Sequence, residues 1–284
     1  MSDKYAVIGN PVAHSQSPQI HAEFARQTGQ DIAYTTLHCE LGEFPETVLK
    51  FFQDGGKGLN VTVPFKGEAF KLKDFRPADI SFGGVVDAEA VNTLKFDNGL
   101  YIGYNTDGIG LVTDLERNLN FPIAGQRVLW MGAGGATRGV MFPILEKHPG
   151  PLVVANRTLS KAMELVQAVE KKFEGFTLGG MTALPYASPY DELAGKQFDL
   201  VINATSAGLS GEMPPLPEGI FAPGALAYDM VYGRDTPFLA FARNNGAQRA
   251  VDGLGMLVEQ AAEAVHLGRG VRPQTAPVIK KLRG

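Results

Sequence analysis

Gln126 to Gly139 reads QRVLWMGAGGATRG, and the rest of the chain is organised around this stretch. Val128 to Met131 is an apolar run of strand length. Gly132 ends it, Gly134 and Gly135 follow, and Ala136 to Lys147 can form a helix, with a start weakened by Gly139 and Pro143. Strand, glycine turn and helix, in that order, turn the backbone N–H groups of a helix N-terminus toward a pyrophosphate. Gly132 permits the tight turn, and Gly134 lets the backbone approach phosphate oxygens with no Cβ in the way. The third glycine of the G-x-G-x-x-G pattern falls on Thr137, so a tight turn without a ligand stays open on these residues alone.

The next segment strengthens the nucleotide reading. Pro151 to Ala155 reads as the following parallel strand, and Asn156-Arg157-Thr158 stand at its end. An NAD enzyme places Asp or Glu there to hold the ribose 2′-OH, and a carboxylate would repel a 2′-phosphate. Arg157 would pair with that phosphate, with Thr158 adding a hydroxyl and Lys161 a second charge. NADP is therefore the expected cofactor. The plainer alternative is that Asn156 caps a turn and Arg157 is a solvated surface residue.

Composition bounds the class. The chain has 284 residues, 44% hydrophobic and 20% charged, which fits one large or two ordinary globular domains. A net charge of −4 argues against non-specific nucleic-acid binding. No apolar run reaches the ~18 residues of a membrane span. MSDKYAVIGN runs directly into a strand without a signal-peptide layout, and the single cysteine, Cys39, allows neither an intrachain disulfide nor a cysteine-based zinc site. A cytoplasmic protein is expected. The five histidines form no close pair, so no metal is expected.

In the N-terminal half, Lys4 to Gly9 reads as a strand and VAHSQSP leads into a helix from Pro18 to Thr28. Ser17 before Pro18 is positioned as an N-cap, a role worth about 1 kcal/mol. Ser15 has no such role, and the two hydroxyls with the first helical amides form a neutral anion cradle at a strand's C-terminal end. Ile32 to His38 and Phe44 to Asp54 read as strand and helix. In GLNVTVPFK, alternation puts Leu59, Val61 and Val63 on one face and Asn60 and Thr62 on the other, with Pro64 ending the ladder and Lys66 just beyond it. Buried polar residues need partners, so Asn60 and Thr62 require neighbours or a ligand. Lys66 is either a surface lysine or part of that polar group. Residues 67–86 read as a helix and an irregular connection broken by Pro77 and Gly83-Gly84.

Asp97-Asn98-Gly99 between Ala90–Phe96 and Leu100–Tyr104 is the strongest hairpin signal in the chain. A two-residue turn at Asn98-Gly99 pairs 97 with 100, and this register gathers Asn92 and Asp107 at the hairpin's open end. Asp107 is equally placed to cap a helix from Ile109 to Asn118. Further on, Ser160 to Phe173 reads as a helix, 175–189 has no clear pattern, and Phe198 to Ala204 reads as a buried strand ending in a turn. Ala225 to Val231 and Arg249 to Val251 read as strands, Thr236 to Asn245 and Met256 to Leu267 as helices. Gln260 alone reads as a solvated helix position, and Trp130 as a bulky strand residue packed under a helix.

SQS, NVTVPFK, AVNTL, YNTDG, GAGGATRG, NRT, NATSAG, YDMVYG and DGLGMLVEQA occur in an order and spacing that resembles the shikimate dehydrogenase family over essentially the whole chain. The resemblance implies an NADP-dependent oxidoreductase that reduces 3-dehydroshikimate to shikimate on the route to aromatic amino acids. It implies an α/β fold: an N-terminal α/β substrate domain, a Rossmann-like doubly wound NADP domain over 108–252, and a C-terminal helix returning to the first domain, so that 1–107 and 253–284 belong together. By motif, Lys66 and Asp107 are the catalytic pair, and Ser15 and Ser17 hold the substrate carboxylate. Asn60, Thr62, Asn92, Tyr232 and Gln260 contact the ring hydroxyls or carboxylate. Gly132, Ala133, Gly134, Gly135 and Ala136 meet the pyrophosphate, Asn156, Arg157 and Thr158 the 2′-phosphate, and Met230 and Gly253 the nicotinamide. The expected partner is a small molecule, in a monomer or homodimer. Two rivals stay open: a quinate/shikimate enzyme with relaxed cofactor use, usually acidic where Arg157 sits, and a non-catalytic nucleotide sensor, expected to lack Lys66 or Asp107. One departure stands out. Glu89 precedes Ala90 where the family usually has glycine.

Overall fold

A computed structural model describes residues 2–78, 85–173 and 184–284. Gly83-Gly84 and most of the patternless 175–189 stretch lie outside the described residues. The chain divides into two compact units, Met1–Leu111 with Leu257–Gly284, and Val112–Met256.

The first unit opens with β1 (Asp3–Gly9), α1 (Ser17–Thr28), β2 (Ile32–His38), α2 (Phe44–Gln53) and β3 (Gly56–Val61). Then follow α3 (Lys66–Phe70), β4 (Phe75–Pro77), α4 (Val85–Ala88), β5 (Thr93–Asp97), β6 (Leu100–Tyr104) and α5 (Asp107–Thr113), which runs on into a wider, π-type turn at Asp114–Asn118. The six strands form one mixed sheet in the order β2-β1-β3-β5-β6-β4. The β5–β6 register is the expected one, Asp97 opposite Leu100 and Thr93 opposite Tyr104. Asn98 and Gly99 both have positive φ, 49° and 81°, the conformation a tight hairpin turn demands. Helix α2 buries Phe44, Val48 and Phe52 at i, i+4 and i+8, while Leu49 stays 46% exposed on the other face.

Strand β3 is shorter than its alternation suggests. It ends at Val61, and Val63 is 61% exposed rather than buried beside Leu59 and Val61. Pro64, which cannot donate to a ladder, takes the chain out of the sheet, so Thr62 lies past the strand's end.

The second unit continues with β7 (Val128–Met131), α6 (Gly135–Leu145), β8 (Leu152–Ala155), α7 (Leu159–Phe173), β9 (Tyr186–Ser188), β10 (Phe198–Asn203), β11 (Phe221–Asp229), α8 (Pro237–Asn244) and β12 (Arg249–Asp252). Its sheet is parallel throughout, in the order β12-β11-β10-β7-β8-β9. Counting from β7, this is the 3-2-1-4-5-6 order of a dinucleotide-binding fold, with the strand order reversing between β7 and β10. The strands read as unbroken apolar runs because both faces are covered, and β7 and β8 are buried at every position. Trp130 is fully buried, and its indole N–H donates to Thr137 Oγ1 of α6 at 3.4 Å, so it does pack under a helix.

Helix α9 (Leu254–Arg269) starts before and ends after the expected Met256–Leu267, and α10 (Ala276–Arg283) was not anticipated. Only Val278 and Ile279 of α10 are buried, too few apolar positions for a periodic signal.

Candidate active site

In the first unit the loop after β3 and the open end of the β5–β6 hairpin bring Lys66 and Asp107 together. Lys66 Nζ donates to Asp107 Oδ2 at 2.6 Å, with side-chain exposures of 24% and 12%. The Lys66 carbonyl accepts from Val91 N–H at 2.9 Å, which ties the start of α3 to the residues just before Asn92. Asn92, 3% exposed, donates from Nδ2 to Asp107 Oδ1 at 2.9 Å. Asp107 does not cap its helix. It is the first residue of α5, and its own N–H bonds Asn105 Oδ1 at 3.1 Å, leaving the carboxylate to Lys66 and Asn92.

Two expectations for single residues are overturned here. Ser17 is not an N-cap: α1 begins at Ser17 itself, and it is Ser15 Oγ that accepts the Ser17 N–H, at 3.3 Å. The Ser17 side chain is buried, 7% exposed. Gln260 is not a solvated helix position: it is half-buried, and its Oε1 accepts from Thr106 Oγ1 at 3.3 Å and from Asn92 Nδ2 at 3.5 Å. Asn60 lies on β3 and donates to Thr93 Oγ1 at 2.9 Å. Thr62 packs its Cγ2 over Gly9, where any Cβ would sit only 2.5 Å away. Tyr34, Thr93, Asn105 and Thr106 belong to this cluster and were missed. The alternation that picked out Asn60 applies equally to Tyr34, and Thr93 directly follows Asn92.

In the second unit Gly132 has φ +106°, and a Cβ there would meet the Ala204 backbone at 3.0 Å, so the loops after β7 and β10 touch at the point of strand-order reversal. Gly134 is different. It has an ordinary φ of −82°, caps α6, and a Cβ on it would meet nothing within 4 Å. Neither φ nor packing demands glycine there, and the open space at the helix N-terminus leaves room for a ligand to approach the backbone. Ala133 lies between the two glycines, ahead of Gly135 and Ala136 in the first turn of α6. Asn156 donates to the Thr158 carbonyl at 2.8 Å and so shapes the turn after β8. Arg157 is exposed, as are Thr158 and Lys161, and has no hydrogen-bond or ion-pair partner among the described residues. An open glycine, free helix amides and an unpaired guanidinium fit the phosphates of NADP.

Met230 and Tyr232 follow β11, and burial pushes the Tyr232 phenol above its ordinary value. Gly253 has a packing reason of its own, since a Cβ there would lie 2.6 Å from the Met230 carbonyl oxygen. Among the described residues no group of three or more metal-ligating side chains occurs, and no helix is long and apolar enough to cross a membrane.

Residues 7–94 match the model of the shikimate dehydrogenase substrate binding domain. A shikimate dehydrogenase (NADP(+)) of Chromobacterium violaceum is 53% identical over 284 residues, spanning 100% of this chain and 98% of its relative. The chain belongs to the shikimate dehydrogenase family. Among solved structures, an Ael1 enzyme from Pseudomonas putida has a TM-score of 0.88 at 45% identity, covering 99% of this chain and 98% of that one. A shikimate 5-dehydrogenase from Thermus thermophilus, in complex with NADP(H) and shikimate, has a TM-score of 0.83 at 29% identity, with 99% and 98% coverage.

Membership in the shikimate dehydrogenase family gives Glu89 a physical reading. Its φ is +47°, in the left-handed region that glycine adopts without cost, and a non-glycine residue there costs about 1 kcal/mol. The glycine that the sequence resemblance leads one to expect before AVNTL would take that backbone without strain, and this chain takes it with a glutamate.

Proposed function

We propose that the protein catalyses the reversible NADPH-dependent reduction of 3-dehydroshikimate to shikimate, a step toward the aromatic amino acids. The observation that carries this reading is the Lys66–Asp107 pair, 2.6 Å apart and largely shielded from water. Reducing a ketone by hydride leaves negative charge on its oxygen, so a proton donor must lie within hydrogen-bond reach. One N–H of the Lys66 ammonium is spent on Asp107, and the remaining ones are free to serve that oxygen. In the reverse direction the neutral amine accepts the alcohol proton, and the adjacent carboxylate stabilises the ammonium that forms. NADPH, when bound, supplies the hydride. The name of the Chromobacterium violaceum relative and the NADP(H) and shikimate of the Thermus thermophilus complex support the same substrate and cofactor.

In this reading 1–107 with 253–284 form the substrate and catalytic domain, and 108–252 the NADP domain. Ser15 and Ser17 hold the substrate carboxylate through hydroxyls, and Asn60, Thr62, Asn92, Tyr232 and Gln260 contact the ring hydroxyls or carboxylate. Gly132 to Ala136 present backbone amides to the pyrophosphate, while Asn156, Arg157, Thr158 and Lys161 hold the 2′-phosphate. Met230 and Gly253 line the nicotinamide. The protein works in the cytoplasm as a monomer or homodimer, on a small molecule, without nucleic acid or membrane as a partner. A steady-state assay of purified protein with shikimate or quinate, each with NADP or NAD, tests this. Shikimate with NADP is expected to be the best pair. Quinate with NAD as the best pair would make it a quinate/shikimate enzyme, and no turnover with any pair would leave a nucleotide-binding protein without this chemistry.

A further inference from the structure

The polar residues of the first unit form an unbroken series of hydrogen bonds. Tyr34 Oη donates to Asn60 Oδ1 at 2.8 Å, and Asn60 Nδ2 donates to Thr93 Oγ1 at 2.9 Å. Thr93 Oγ1 donates to Asn92 Oδ1 at 3.0 Å, and Asn92 Nδ2 to Asp107 Oδ1 at 2.9 Å.

Two backbone groups set the polarity of the whole series. The Asn92 carbonyl can only accept, and it takes a second bond from Asn60 Nδ2 at 3.3 Å. The Thr106 N–H can only donate, and it bonds Asn92 Oδ1 at 2.9 Å. Each amide is therefore held in one of its two flips. With Asn60 Oδ1 facing Tyr34, the phenol must donate to it. Thr93 likewise must accept from Asn60 and give its proton to Asn92. Every proton points toward Asp107, and aligned hydrogen bonds of this kind polarise one another.

We propose that Tyr34 and Thr93 are positioning residues of a one-way hydrogen-bond relay that runs from the Tyr34 phenol to the Asp107 carboxylate. The inference rests on the reading of Lys66 and Asp107 as the reacting pair. The His21 ring stacks on Tyr34 at 3.9 Å and 8°, beside the phenol that begins the relay.

The test is a double-mutant cycle of Tyr34→Phe, which keeps the ring stack, and Thr93→Val, which keeps the shape. Each single variant is expected to lower kcat/KM for shikimate about 5- to 30-fold, with KM for NADP unchanged. The double variant is expected within about twofold of the worse single, because a relay broken once has little left to lose. Thr93→Ser, which keeps the hydroxyl, is expected within about threefold of wild type. Losses that multiply in the double variant, or single variants with a lowered melting temperature and unchanged kcat/KM, would overturn the relay. Urea midpoints of the same proteins supply a readout independent of turnover. If wild type turns over no shikimate with NADP, the proposed function fails, and the relay is then judged on the midpoints alone. Non-additive falls support it, and additive ones sink it.

Discussion

The two units treat their polar residues in opposite ways. Around Asn92 in the first unit, both ends of the amide are used, by Thr93 and Thr106 on Oδ1 and by Asp107 on Nδ2. Around Arg157 in the second unit, the guanidinium has no partner among the described residues, and Gly134 has open space where a side chain would stand. A saturated site holds its reactive groups in geometry before any ligand arrives, so changes there cost chemistry and stability together. An unsaturated site holds charge and space in reserve, so changes there cost binding and leave the fold alone.

The sharpest way to break that contrast is at Lys66. Lys66→Ala is expected to lower kcat by about 10² or more with little change in KM, because the proton donor acts in the transition state. Steady-state kinetics with shikimate and NADP check this, and an unchanged kcat would remove Lys66 from the chemistry. The next effect is at the open site. Arg157→Asp is expected to raise KM for NADPH about 10- to 100-fold and shift preference toward NADH, with no change in melting temperature. NADP preferred by the wild-type margin would show the 2′-phosphate is held elsewhere.

The smallest effect concerns His21, which burial alone holds at a pKa of about 3. A histidine kept neutral when folded but free to protonate when unfolded stabilises the fold fully above its unfolded pKa of about 6.5. That contribution is lost as pH falls from 6.5 toward 3, at about 1.4 kcal/mol per pH unit. Urea denaturation at pH 7 and pH 5 is therefore expected to show a loss of about 2 kcal/mol that His21→Phe, which retains an aromatic ring beside Tyr34, largely abolishes. An equal pH slope in the variant would mean that the imidazole titrates where it lies.

Much of both regions was legible in the chain, for identifiable reasons. The hairpin register followed from Asn98-Gly99, since a two-residue turn leaves one pairing, and that pairing alone put Asn92 near Asp107. The apolar runs of β7 and β8 announced a covered parallel sheet, and Gly132 and Gly134 marked the turn above it. What stayed hidden was the partner of each side chain. Ser17 looked like a cap because Pro18 follows it, yet α1 begins at Ser17 itself and Ser15 Oγ accepts its N–H. Gln260 looked solvated because its partners Asn92 and Thr106 lie more than 150 residues away.

By itself the sequence determined most of the elements, the hairpin register, the nucleotide turn and the basic residue beside it, all of which depend on neighbours within a few positions. Only the tertiary structure decided where β3 ends, which serine accepts at the start of α1, and how Tyr34 and Thr93 join a series of hydrogen bonds that ends on a carboxylate. The reason is physical: a hydrogen bond between strands depends on sheet order, and sheet order is settled by the packing of the whole unit rather than by any short stretch of chain.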